Sequence, residues 1–296
     1  MDKKIIKKAD VLIEALPYIQ KFYEKIIVIK YGGAAMTDKE VRKNVLKDIV
    51  FMNYVGMRPV LVHGGGPNIT KKIEQMGGEV KFVDGFRVTD KITIGVVEEE
   101  LLQINKELVQ EITSLGGTAI SLSGKDDNLI EVKKHPPING EDIGFVGEIT
   151  KINGDVIQRM LTSDIIPVIP PLGIGASDGL TYNINADNVA AEIAGALGAI
   201  KFVLITNVAG IISAGGGSAS GGKNSGTLIS RASKTDVKKL IKSGVVSGGM
   251  IPKVNACVRA LDCGVAKTHI INEKIPHALL LEIFTDEGIG TEIVKK

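Results

Sequence analysis

The sequence predicts an α/β fold built on a parallel-rich sheet with helices on both faces. Two observations carry this. Strand-like and helix-like stretches alternate along most of the 296 residues, the pattern of βαβ units with right-handed crossovers. The 35 glycines exceed the average share, and many fall in loops directly after strands, where a bare backbone lets a helix start or a ligand approach. Hydrophobic residues at 44% and charged residues at 24% place the chain among ordinary globular proteins, long enough for one large or two moderate domains.

The elements follow in order. Ile5, Ala9, Leu12 and Leu16 recur at helical spacing and predict an amphipathic N-terminal helix stopping at Pro17, either packed on its own domain or an exchangeable arm on another subunit. Lys7, Lys8, Asp10 and Glu14 interrupt every apolar stretch there, against a signal peptide, and no later run approaches a membrane span. Strand 26–30 leads to a helix opened by Thr37 and Glu40 at capping-box spacing and ending at Gly56. Strand 59–63 precedes a helix starting at Pro67, and a long helix over 90–115 precedes strand 118–123. Residues 129–151 suggest short strands and a hairpin, strand 165–170 closes this half, and Pro170 to Gly179 reads as a linking loop. The second half reads as helix 186–197, strand 201–205, helices 234–243 and 252–262, strand 267–271 and helix 277–284. Between Ser213 and Gly226 the chain is Gly/Ser-rich, a linker-like surface loop, with Thr227 to Ile229 strand-like beyond it.

Several function classes are disfavoured. A net charge of +2 and the absence of tryptophan argue against nucleic acid. Cys257 and Cys263, six apart, match neither a redox nor a zinc spacing and read as reduced thiols of a cytosol-like compartment. Gly217 to Lys223 fits a P-loop pattern, but Asn224 replaces the required Ser or Thr and no helix follows. The first strand is not followed by G-x-G-x-x-G, which argues against an NAD-dependent dehydrogenase.

What remains is a set of glycine-rich strand ends carrying charge. Val28-Ile29-Lys30-Tyr31-Gly32-Gly33 and His63-Gly64-Gly65-Gly66-Pro67 each lie between a strand and a helix. Bare backbone can meet a phosphate or carboxylate there, with Lys30 as counter-charge. The competing reading of Lys30 is a lysine that snorkels to the surface. His63 reads as a structural hydrogen-bonder rather than a catalyst. Arg87, in a turn after a strand, suits either the surface or a two-pronged pair with a carboxylate. Asn183, Asn185 and Asp187 sit at a helix mouth, as caps or as site residues. Ser247-Gly248-Gly249-Met250-Ile251-Pro252-Lys253 places a lysine in a helix's first turn, where its charge opposes the dipole and a bound anion compensates.

Together V-I-K-Y-G-G, V-H-G-G-G-P, G-F-R-V-T, N-I-N-A-D and S-G-G-M-I-P-K resemble, in order and over nearly the whole chain, the amino acid kinase family. The last three motifs resemble its branch that phosphorylates N-acetyl-L-glutamate, and A-L-P-Y-I at 15–19 resembles the arginine-inhibited hexameric type. The resemblance implies a three-layer αβα sandwich around an open, mostly parallel eight-stranded sheet. It implies phosphoryl transfer from ATP to the γ-carboxylate, the second step of arginine biosynthesis. Lys30 and Lys253 correspond to the lysines that stabilise the transferring group, and Asp187 to the aspartate that holds them. Gly65, Gly66, Arg87, Asn183 and Asn185 correspond to acetylglutamate contacts. Gly32, Gly33, Thr206, Asn207, Gly210, Gly248, Gly249 and Met250 fall on the ATP side, with Mg2+ held mainly by the phosphates and no protein metal site. Tyr18, Lys201, His269, Glu282 and Gly288 correspond to an arginine site.

By the same resemblance residues 1–20 form a regulatory and oligomerising helix, 21–175 an acetylglutamate-binding and dimerising half, and 176–296 an ATP-binding half. The assembly is a dimer, or a hexamer as a trimer of dimers. A PII-type signalling protein stays open as a partner, and the compartment is cytoplasm or plastid stroma. Two features depart from the family pattern: Asn207 stands where relatives usually carry aspartate, and the Gly/Ser-rich loop is longer than usual. A carbamate, aspartate or UMP kinase and a weakly catalytic arginine-sensing module remain as alternative readings.

Overall fold

The computed structural model describes residues 3–213, 226–286 and 288–296. Gly217 to Lys223, and most of the Gly/Ser-rich segment around them, lie outside the described residues. Helix α1 (Lys3–Phe22) leads into β1 (Ile26–Tyr31), α2 (Lys39–Tyr54), β2 (Arg58–His63) and α3 (Gly66–Gln75). A small hairpin, β3 (Phe82–Val83) and β4 (Phe86–Arg87), precedes the long α4 (Lys91–Ser114) and β5 (Ala119–Ser121). Then come β6 (Ile130–Lys134), β7 (Gly147–Ile152), α5 (Gly154–Thr162), β8 (Ile166–Ile169), β9 (Leu172–Gly175) and β10 (Thr181–Asn183). The remainder is α6 (Ala186–Ala196), β11 (Lys201–Thr206), β12 (Arg231–Ser233), α7 (Lys234–Lys242), α8 (Met250–Asp262), β13 (Lys267–Asn272), α9 (Ala278–Phe284) and β14 (Thr291–Val294).

The main sheet has eight strands in the order β12-β14-β13-β11-β1-β2-β8-β5, all parallel except the β13–β14 pair. Alternate residues of each central strand enter opposite cores. Val28, Phe202 and Leu204 pack under α6 and α8, while Ile27, Ile29, Val203 and Ile205 pack under α2, α4 and α9. This is the expected three-layer sandwich. A second sheet, β10-β9-β6-β7, flanks it. No described helix is long and apolar enough to cross a membrane.

The differences from expectation have local causes. Helix α1 runs through Pro17 to Phe22 instead of stopping; the turn after the proline is held by Tyr18 against Phe284 and by burial of Phe22, which offsets the backbone hydrogen bond a proline forfeits. The cap of α2 is Asp38, not Thr37: its carboxylate accepts from the amides of Glu40 and Val41 at 3.0 and 3.1 Å. Pro170 to Gly179 is not a plain linker, because β9 lies within it and pairs with β6 and β10. Thr227 to Ile229 forms only an isolated bridge between Leu228 and Ile212. Cys257 is buried, Cys263 exposed, and both are free.

Candidate functional site

The carboxyl ends of the central parallel strands share one edge of the sheet, the usual position of a ligand site in open α/β folds. Lys30 is the last residue but one of β1 there, opposite Val62 of β2 and Leu204 of β11. The two glycine loops that follow touch. A Cβ on Gly32 would lie 3.1 Å from the Gly64 nitrogen and from Lys30 Nζ, so a side chain there would press the two loops apart. Gly33 then turns the chain with φ at 91°.

Lys30 and Lys253 come from opposite ends of the chain and meet on one carboxylate. Asp187 lies in the first turn of α6, where the Asn185 side chain caps the helix by accepting from the amides of Asp187 and Asn188 at 2.9 and 3.2 Å. Lys30 Nζ is 2.8 Å from Asp187 Oδ1, and Lys253 Nζ is 3.4 Å from Oδ2. The aspartate is buried, 5% exposed. Burial alone would raise its pKa, but Lys30 and then Lys253 outweigh it and hold the carboxyl below its ordinary value. The result is a pair of cations with one net positive charge, held on a shared carboxylate beside the glycine loops.

Beside this pair opens a cleft of about 290 Å³, lined by Lys30, Gly33, the Gly64–Gly66 loop, Arg87, Asn183, Asn185 and Asp187. Arg87 is buried here rather than on the surface. Its Nη2 donates to the Gly66 carbonyl at 3.1 Å and to Thr70 Oγ1 at 2.8 Å, and Phe82 lies over the guanidinium. Its Nη1 is buried without a partner among the described residues. One prong is thus fixed and the other free, the geometry that accepts a carboxylate oxygen. Asn183 Nδ2 donates to Thr89 Oγ1 at 3.3 Å.

Of the expected nucleotide-side residues, Gly33 lines that cleft, with Gly32 next to it in the chain, while Thr206, Asn207, Gly210, Gly248, Gly249 and Met250 are not part of its lining. Gly248 and Gly249 form the entry to α8, with Met250 opening it, and Thr206 Oγ1 lies 3.4 Å from Asn207 Oδ1 at the end of β11. Gly210 is packed against Thr291 and Leu228, so its lack of a side chain has a structural cause. Tyr18, Lys201, His269, Glu282 and Gly288 line a separate cavity of about 420 Å³ between α1 and the C-terminal half. There His269 Nδ1 lies 2.6 Å from Glu282 Oε1. Burial pushes the His269 pKa down, against the opposing pull of Glu282.

Sequence reasoning missed Asn105. It lies in the apolar face of α4 with Leu101, Ile104, Leu108 and Ile112, and a polar residue inside such a stripe was the available signal. Its Nδ2 reaches His63 Nε2 at 3.1 Å and donates to the Val168 carbonyl at 2.9 Å. His63 Nδ1 contacts the Gly64 carbonyl at 3.0 Å. The Gly64 carbonyl only accepts and the Asn105 Nδ2 only donates, so the imidazole carries its proton on Nδ1, accepts at Nε2 and is neutral, and it struts the glycine loop from beneath. Burial, with Lys30 nearby, pushes the His63 pKa down from 6.5 to about 4 despite the Gly64 bond. The unfolded chain takes up a proton below its pKa of 6.5 that the folded chain refuses until about 4. Stability therefore falls as pH drops through that window, by roughly 2 kcal/mol at about pH 5. Urea midpoints of wild type and His63→Gln, compared at neutral pH and about pH 5, should show this component lost in the variant. An identical pH dependence in both would refute the assignment.

Three comparisons with known proteins bear on the site. The model of the amino acid kinase family matches residues 25–272. The chain is 50% identical over 289 residues to the acetylglutamate kinase of Desulforamulus reducens, covering 98% of each, and 50% identical over 297 residues to that of Moorella thermoacetica, again covering 98% of each. Among solved structures it superposes, with a TM-score of 0.85 and 25% identity, on N-acetylglutamate synthase from Neisseria gonorrhoeae complexed with coenzyme A and N-acetyl-glutamate. That match covers 97% of this chain but only 63% of the synthase chain.

Proposed function

The chain belongs to the amino acid kinase family, and from that premise we propose that it phosphorylates the γ-carboxylate of N-acetyl-L-glutamate with ATP. The product is N-acetyl-L-glutamyl 5-phosphate, the second intermediate on the way to arginine. The observation that carries this reading is the convergence of Lys30 and Lys253 on Asp187 beside a cleft whose buried Arg87 has one free nitrogen.

The chemistry needs no general base. A glutamate-like carboxyl, with a pKa of about 4.3, is already ionised at neutral pH. The obstacle is repulsion between the attacking carboxylate and the triphosphate. In this reading Arg87 anchors a carboxylate of the acceptor while the Gly65 and Gly66 backbone admits it close to the cationic pair. A carboxylate oxygen attacks the terminal phosphorus, the bond to the bridging oxygen breaks, and ADP leaves with that electron pair. Lys30 and Lys253 offset the charge on the migrating group, and Asp187 keeps both ammonium groups aimed at it. Magnesium, when bound with the nucleotide, supplies further neutralisation of phosphate charge.

Hydroxylamine trapping across a panel of acetylglutamate, glutamate, aspartate, carbamate and UMP tests the reading. Hydroxamate should form with acetylglutamate and ATP. Preference for another acceptor, or no ATP consumption with acetylglutamate, overturns it.

The reading extends to feedback inhibition by arginine. The pocket mixes both charges, as an amino acid with a guanidinium side chain requires: Glu282 and Asp286 suit the guanidinium, and Lys21, Lys201, Arg231 and Lys267 suit a carboxylate, with Glu292 already paired to Arg231 and Lys267. Helix α1 closes one side of it, yet Val11, Leu12, Ile13 and Leu16 of that helix are exposed, which suits an arm packing on another subunit. The division into an arm at 1–20, an acceptor half at 21–175 and a nucleotide half at 176–296 belongs to the same reading, as do a cytoplasmic setting and a dimeric or hexameric assembly. Deleting residues 1–20 should abolish arginine inhibition and any hexamer. A truncated hexamer in light scattering would sink the assembly claim.

A further inference from the structure

An arginine side chain has many rotamers, so a guanidinium that waits for a carboxylate binds it better when the fold has already ordered it. The backbone end of Arg87 is ordered by its neighbours. Arg87 pairs with Phe82 across the β3–β4 hairpin. Thr89, fully buried, donates its hydroxyl proton to the Arg87 carbonyl at 2.8 Å. The Thr89 amide in turn donates to the Ile143 carbonyl at 2.9 Å, and its carbonyl accepts from the Phe145 amide at 2.6 Å. The side chain therefore leaves from a fixed backbone.

The charged end is ordered by α3. A guanidinium carries its N–H donors in one plane, two of them on Nη2. Both Nη2 donors are spent, one on the Gly66 carbonyl at 3.1 Å and one on Thr70 Oγ1 at 2.8 Å. These acceptors stand on successive turns of one helix, so the plane cannot rotate about its Cζ–Nε bond without breaking one of them. Phe82 covers a face of the plane, 4.8 Å from Cζ. What is left is Nη1, buried and without a partner among the described residues. Arg87, Gly66 and Thr70 all line the cleft beside the lysine pair. Of the two acceptors, the shorter contact is the one made by a side chain.

We propose that Thr70 is a positioning residue of the acceptor site. Its hydroxyl oxygen takes up the second proton of Arg87 Nη2, so the guanidinium offers Nη1, in one orientation, to the carboxylate that Arg87 anchors. The proposal rests on the reading of Arg87 given above and deepens it by naming the group that aims the arginine. Without the hydroxyl, one N–H of Nη2 loses its acceptor, and the guanidinium must be ordered each time a ligand binds. That cost falls on the acceptor alone, because Lys30, Lys253 and Asp187 hold one another through contacts that do not involve Thr70. Valine matches threonine in shape and branching and deletes only the acceptor oxygen, whereas serine keeps the oxygen and loses the methyl group.

Steady-state kinetics of the full chain with acetylglutamate and MgATP test this. Thr70→Val should raise the KM for acetylglutamate about fivefold, with kcat and the KM for ATP within about twofold of wild type. Thr70→Ser should stay within about twofold of wild type in all three. On an Arg87→Leu background, Thr70→Val should change kcat/KM for acetylglutamate by less than about twofold, since no guanidinium remains to be aimed. An unchanged or lowered KM in Thr70→Val overturns the proposal, and so does an equal defect in Thr70→Ser. An undiminished effect on the Arg87→Leu background overturns it too, because the hydroxyl would then meet the ligand itself or merely support α3. If Thr70→Val fails to fold, Thr70→Ala is judged by the same criteria. The wild-type acceptor panel reports separately on the underlying reading. If another carboxylate is preferred, that reading fails and the Thr70 comparison is made with the preferred acceptor; if the preferred acceptor has no carboxylate, both fall.

Discussion

Replacing Lys30 with alanine should lower acetylglutamate-dependent turnover at least about a hundredfold, since removing one aimed donor costs on the order of 3 kcal/mol of barrier. Lys30 is the inner of the two cations, with its side chain 9% exposed against 24% for Lys253. Its loss leaves Asp187 paired only through the longer contact to Lys253, at 3.4 Å. Two consequences then separate. The barrier rises because one fixed charge no longer faces the migrating group. Stability also falls, by about 3 to 5 kcal/mol, because breaking a buried pair strands the carboxylate. Urea unfolding establishes that the variant is folded, and rapid-quench single turnovers then isolate the chemical step. Lys253→Ala should lose turnover to a similar degree with a smaller stability change, being more exposed. Near-normal single-turnover rates in both folded variants would reject the assignment of the pair.

The second large effect is expected at Arg87, and it should appear in binding rather than in chemistry. Arg87→Leu should raise the KM for acetylglutamate by about thirtyfold or more, as truncating a buried, hydrogen-bonded charge costs about 2 to 5 kcal/mol. The KM for ATP should stay within a few-fold of wild type. Arg87→Lys should fail to rescue the defect. One guanidinium nitrogen is spent on Gly66 and Thr70 and the other remains for the ligand, and an ammonium cannot serve both directions. Full rescue by lysine, or equal changes in both KM values, would show that Arg87 does not hold the acceptor.

The parts of this molecule visible in the sequence are those governed by local chemistry. Gly32 and Gly65 announce themselves because the backbone there must come close to something: a Cβ would lie 3.1 Å from the Gly64 nitrogen at the first and 2.7 Å from Leu101 Cδ2 at the second. The start of α3 at the Gly66-Pro67 step and the long α4 follow from local periodicity and capping. Where local signals failed, a longer-range contact had won. Pro17 reads as a helix stop, yet the contact between Tyr18 and Phe284 holds the helix beyond it. β9, β10, β12 and β14 are only three or four residues long, too short for periodicity to register, and they persist because neighbouring strands pair with them.

By itself the sequence determined the layer architecture, the two glycine loops, the positions of Lys30, Arg87, Asp187 and Lys253, and the family they belong to. Each depends on residue type and nearby spacing, which the chain carries in one dimension. Only the tertiary structure decided that Lys30 and Lys253 share the two oxygens of one carboxylate, and that Arg87 keeps one nitrogen free. The same holds for the Asn105 strut beneath His63. Those pairings join segments far apart along the chain, and strand order and register, which no local pattern encodes, bring them within reach of one another.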